Sequence, residues 1–139
     1  MRDLKQSDHN KMILEDPISG SKITLYYRLP TSTDRVEFEA ASYRREGTEV
    51  IDNTPQARVD SALKILTGFS EGSFGYGGEP ISADPASPHY REDWKDLVRE
   101  TASDLLSALS LKVFMGLRVV PDEGANRGEG KDIIPFDRK

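Results

Sequence analysis

Cysteine is missing from all 139 residues, which excludes disulfides, thiolate metal sites and a cysteine nucleophile and suits a reducing compartment. Histidine is scarce: only His9 and His89 are available as imidazole bases or ligands. Basic residues are outnumbered, 19 Lys and Arg against 24 Asp and Glu, leaving a net charge of −5 with no basic stripe. That balance argues against a nucleic-acid partner, whose affinity comes largely from clustered cations displacing counterions. Long apolar runs are also lacking. Nothing approaches the ~20 residues of a membrane helix, and Met1 to Asn10 is too polar for a signal peptide. The expectation is a soluble protein of the cytoplasm with no membrane partner.

What is present fits one domain with loose ends. Hydrophobic residues make up 36% and charged residues 31%, a thin core if the whole chain were ordered. We therefore expect a flexible arm over 1–10, a single α+β domain over 11–120 and a flexible tail over 121–139. The tail ends in Asp132-Ile-Ile-Pro-Phe136, which reads either as a docking peptide or as stray surface apolars.

Within the domain, Met12-Ile-Leu14 and Lys22 to Leu29 flank Asp16-Pro-Ile-Ser-Gly20, a turn composition. Ile23, Leu25, Tyr27 and Leu29 alternate with Thr24, Tyr26 and Arg28, the period of a half-buried strand. This predicts an N-terminal β-hairpin. Thr31 to Asp34 offers helix caps, and a weakly apolar helix is expected to about Glu46, with Gly47 past its end. Thr54-Pro55 starts a second helix in which Val59, Ala62, Leu63, Leu66 and Phe69 form a stripe, ending near Gly68. A glycine-rich connector follows to about Ala86. Ser87-Pro88 then repeats the cap-then-proline device and opens a third helix to Met115, about 28 residues or ~40 Å long. Tyr90, Trp94, Leu97, Val98, Leu105 and Leu109 line one side of it. The predicted fold is thus α+β and mostly helical: a hairpin packed on three helices.

Three patterns suggest chemistry. Gly68-Phe-Ser-Glu-Gly72 matches the G-x-S-x-G nucleophile elbow, and a Ser70, Asp84, His89 triad can be drawn. The elbow needs a preceding strand, whereas here a helix is expected. Gly72, Gly75, Gly77 and Gly78 resemble a phosphate cradle but lack the lysine and the strand of a P-loop. His89 and Asp93 are four apart, two mixed ligands without a third, and the acidic pairs Glu92-Asp93 and Asp122-Glu123 read as solvated surface. Accordingly no catalytic, metal or cofactor residue is assigned, and no cofactor is expected.

The ends of the elements carry a resemblance. Tyr26 to Pro30 (Tyr-Tyr-Arg-Leu-Pro), Lys64 to Phe69 (Lys-Ile-Leu-Thr-Gly-Phe), Pro80 to Pro85 and Asp93 to Val98 are similar to segments of small tail-assembly proteins of phages and prophages. The family it resembles is the tail assembly chaperones of long-tailed phages, over roughly residues 12 to 115. The resemblance implies a small, non-enzymatic protein of the bacterial host cytoplasm that coats the tape-measure protein, often as an oligomer, and helps recruit tail-tube protein. It carries over no binding residue. From the residues themselves, Leu105, Leu106, Leu109, Leu111, Val113 and Phe114 exceed what one helix face buries, and are the expected partner-binding set. A structural tail or head–tail connector component and a small serine hydrolase using Ser70 are the alternatives. Unchanged ester turnover in Ser70→Ala would end the hydrolase case.

Overall fold

A computed structural model describes residues 1–5 and 7–122. Among the described residues of the arm no regular element precedes Asn10, and the tail segment Ile133 to Phe136 lies outside the described residues. The first hairpin joins β1 (Asn10–Glu15) to β2 (Lys22–Tyr27), antiparallel, with Ile13 opposite Thr24. Its turn is held by Asp16, whose carboxylate accepts from the Ile18 and Ser19 amides and the Ser19 hydroxyl. Met12, Ile23, Leu25 and Tyr27 face the core, as the two-residue period requires.

Helix α1 (Ser32–Ala41) begins with a reciprocal cap. Asp34 N–H donates to Thr31 Oγ1 at 3.1 Å, and Thr31 N–H donates to Asp34 Oδ2 at 2.8 Å. The helix stops five residues short of the expected Glu46. Ser42 turns its hydroxyl back onto the Phe38 carbonyl at 2.8 Å, and the chain enters β3 (Tyr43–Glu46), which pairs with β4 (Glu49–Asp52). Gly47, taken from sequence as a residue beyond a helix, has φ +63° and instead opens the two-residue loop of this hairpin. Val50 and Ile51, β-branched, favour the extended state.

Helix α2 (Thr54–Ile65) carries Pro55 in its first turn, and its N-cap position falls on Asn53, one residue earlier than expected, without a side-chain cap bond. It too ends early. Leu66 is extended, with ψ 121°, and β5 (Leu66–Phe69) pairs antiparallel with β2 to give the sheet order β1-β2-β5. The backbone of β2 explains the difference: Thr24 and Arg28 turn polar groups toward this side, and the Ser70 amide and the Ile65 carbonyl satisfy them.

The glycine-rich connector is structured. β6 (Gly75–Tyr76) and β7 (Glu79–Pro80) form a short hairpin whose central Gly77 and Gly78 both have positive φ, the requirement of a tight turn of mirror-image type. The expected 28-residue helix is also replaced. Residues before Trp94 are turns, because Ser82 takes the backbone partners a helix would need: its amide donates to the His89 carbonyl and its carbonyl accepts from Arg91. Two helices follow, α3 (Trp94–Thr101) and α4 (Ser103–Val113), broken at Ala102 with φ −133° and ψ 36°. The Ala102 amide closes α3 on Val98, while its carbonyl opens α4 by accepting from Leu105 and Leu106. The break brings Trp94 and Val98 of α3 and Leu105, Leu106 and Leu109 of α4 into one core.

These changes overturn the mostly helical description. The structure is 34% helical and 25% strand, with four helices and small antiparallel sheets among the described residues. The core lies between the β1-β2-β5 sheet, α2 and α4. Leu25, Ile65, Leu66, Leu106 and Leu109 are its fully buried large side chains. Phe69 meets Phe74 and Trp94 edge-on at 4.8 and 5.7 Å, and the Ser110 hydroxyl ties α4 to α2 by donating to the Arg58 carbonyl at 2.6 Å.

Candidate interaction surface

The residues that suggested an elbow are engaged elsewhere. Ser70 Oγ lies 2.8 Å from Ser73 Oγ, Asp84 accepts from the Ala86 amide at 2.9 Å, and the His89 amide donates to Ser87. Among the described residues no hydrogen bond joins Ser70, Asp84 and His89. Asp93, the suggested companion of His89, is held by Arg91 through two contacts of 2.9 and 3.0 Å, and that pairing keeps its carboxyl below the ordinary range. Arg91 in turn lies 4.7 Å over the Tyr76 ring, pinning the β6–β7 hairpin to the head of α3. Among the described residues no group of three or more His, Asp or Glu is placed to hold a metal ion.

Sequence reasoning passed over Glu71, the organiser of this connector. Its carboxylate accepts from the buried Ser82 hydroxyl on one oxygen and from Ser87 Oγ at 3.3 Å on the other, so residues 71, 82 and 87 are tied across the loop. Ser82 Oγ also accepts from the Asp84 amide at 3.0 Å. The loop from Ser70 to Ser87 has four serines and three acids, Glu71, Glu79 and Asp84, so composition alone did not single out Glu71.

The expected partner-binding set divides in two. Leu105, Leu106 and Leu109 are buried in the chain's own core and present no free surface. Leu111 remains 49% exposed, while Val113 and Phe114 are half-buried. Phe114 stacks on Phe38 of α1 at 5.0 Å, and Arg35 lies 6.0 Å over its ring while donating to the Val113 carbonyl at 3.3 Å. The free apolar surface therefore starts where α4 turns away from the core and continues beyond it: Leu111, Met115, then Leu117, Val119 and Val120, of which Leu117 and Val119 are 86% and 94% exposed.

Two local features shape this surface. Between Asp104 and Asp122 the sequence has no carboxylate, and the charges along this stretch are Lys112 and Arg118. Beside it a cleft of about 440 Å³ opens between the end of β2, the start of α1 and the end of α4; its lining includes Leu4, Tyr27, Leu29 and Val113, with three cations, Arg2, Arg35 and Lys112, against one carboxylate, Asp3. The arrangement can hold an apolar segment flanked by acids.

The chain matches no protein-family model, no curated protein and no solved structure. Among the described residues no helix is long and apolar enough to cross a membrane.

Proposed function

We propose that this chain is a non-enzymatic tail assembly chaperone of a long-tailed phage or prophage, acting in the host cytoplasm without a cofactor. It binds the tape-measure protein and passes it to tail-tube assembly. The observation that carries the reading is the exposed apolar run from Leu111 to Val120, continuous with a helix whose other leucines are already used in the core. An elongated partner rich in apolar helix would cover it, and Lys112 and Arg118 favour acidic residues beside the partner's apolar stripe. The resemblance of residues 12 to 115 to the tail assembly chaperones supplies the identity of that partner.

Co-expression with a tape-measure fragment tests this directly. The fragment should become more soluble and copurify, and Leu111→Ser combined with Leu117→Ser should abolish both effects while the variant stays folded. A fragment whose solubility the chain does not alter would sink the proposal. The projecting β3–β4 hairpin, whose residues are all exposed apart from half-buried Ile51, favours a second reading as a structural tail or connector component. Such a component remains in finished virions, whereas a chaperone leaves.

A further inference from the structure

The first strand has an unguarded edge. Among the described residues β1 pairs only with β2, at one side of the β1-β2-β5 sheet. Which of its backbone groups point outward follows from two hydrogen bonds. The Asp16 amide donates to the Ser21 carbonyl across the hairpin, so every second residue from Asp16 back (Leu14, Met12, Asn10) exchanges bonds with β2. The Thr24 carbonyl accepts from Ser70 on the far side, so Thr24 and its partner Ile13 exchange none. Lys11, Ile13 and Glu15 therefore turn their amides and carbonyls to the open edge. Their side chains share the outer face, where all three are exposed, Ile13 to 57%.

We propose that a second copy of this chain pairs with that edge, β1 antiparallel to β1 about a twofold axis through Ile13. This is independent of the tape-measure reading and rests on β1 alone. Only registers that set an odd residue opposite an odd residue bring outward groups face to face. Among these, the one centred on Ile13 sets Lys11 of each copy opposite Glu15 of the other, two opposite-charge pairs flanking an Ile13–Ile13 contact. On the inner face Met12 meets Leu14 of the second copy, extending the apolar layer of both cores. Shifting the centre to residue 12 or 14 loses both charge pairs. Edge strands are ordinarily protected by proline, bulges or charged side chains, lysine above all; β1 has no proline and no bulge, and its outward charges, Lys11 and Glu15, are of opposite sign, so in the register centred on Ile13 they pair instead of repelling.

The edges at β3 and β5 lack these properties. Self-pairing of β3 centred on Arg44 or on Arg45 sets arginine against arginine. β5 is four residues long and has Ala83 lying against Gly68.

Sedimentation of the full chain up to about 100 µM reads the outcome. We expect a species near twice the 15.5 kDa chain mass that dissociates on dilution. Lys11→Glu and Glu15→Lys should each weaken self-association about tenfold by setting like charges opposite. An equimolar mixture of the two variants restores both opposite-charge pairs and should associate as wild type does, as should the doubly swapped chain. Ile13→Pro removes only an outward amide, which an edge strand tolerates, and should yield a folded monomer by circular dichroism. Should that variant fail to fold, the charge set decides alone. A wild type monomeric throughout, a dimer indifferent to the three single substitutions, or a mixture that does not recover would overturn the proposal.

Discussion

Leu106 and Leu111 stand five residues apart on one helix and have opposite fates. Leu106 is fully buried between α2 and the sheet, whereas Leu111 is half open to solvent just before the helix ends. Composition treats them alike, and neither breaks the helical pattern. The difference teaches that surplus apolar area on a helix is assigned by what the rest of the chain brings against it. α2 packs along α4, and Leu105, Leu106 and Leu109 join the common core, while α1 reaches the far end through Phe38 and Arg35. What remains uncovered from Leu111 onward is available to something else.

The largest effect that sharpens this contrast is expected at Leu106→Ala, which leaves a cavity where no side chain can follow. Denaturant unfolding should show a loss of about 3 kcal/mol. Next comes the cap that orients α1 toward the end of α4. Arg28 Nη1 lies 2.7 Å from Asp34 Oδ2, and with the Thr31 contacts it lowers the Asp34 carboxyl from 3.8 to about 2 despite burial. A depressed folded value means the stabilisation is complete above pH ~4 and is lost as the pH falls toward 2. Arg28 is partly open to solvent, which limits the term to about 1–2 kcal/mol. Acid titration of stability should show that loss, and Asp34→Asn should flatten this part of the curve.

A smaller change is expected at Glu71→Gln, which weakens two hydroxyl contacts and keeps the shape. About 1 kcal/mol or less should be lost, and amide exchange should quicken at Ser82 and Arg91 while the Leu106 amide is unaffected. At the bottom of the scale, Leu111→Ala should leave stability within about 0.5 kcal/mol. If Leu111→Ala instead destabilised as much as Leu106→Ala, the division of α4 into core and free surface would be wrong.

How much of this was legible depended on whether the information was local. The β1–β2 hairpin shows itself in the alternation from Ile23 to Tyr27 around an Asp-Pro turn, and the α2 stripe in Ala62 and its neighbours. β5 was hidden, because Leu66 and Phe69 suit a helix face as well as a strand; only the waiting edge of β2, some forty residues earlier, decides between them. The break at Ala102 leaves no proline or glycine mark, and is set by the need of two stripes to reach one core. The same holds for the candidate surface. Sequence located surplus apolar residues near the end of α4 but not which of them the chain keeps, and it passed over Leu117 and Val119 because they lie beyond any periodic segment.

The order of the strands has a bearing on where the chain tolerates added length. β2 and β5 are neighbours in the sheet, yet α1, the β3–β4 hairpin and α2 all lie between them in the chain. The tip of that hairpin, Gly47-Thr48, is exposed and far in sequence from either strand. Closing a longer loop costs only ~0.6 kcal/mol per doubling of its length. Extra residues, or a whole inserted module, can therefore be carried at Gly47-Thr48 with little penalty to the fold. This is the natural place to insert a reporter.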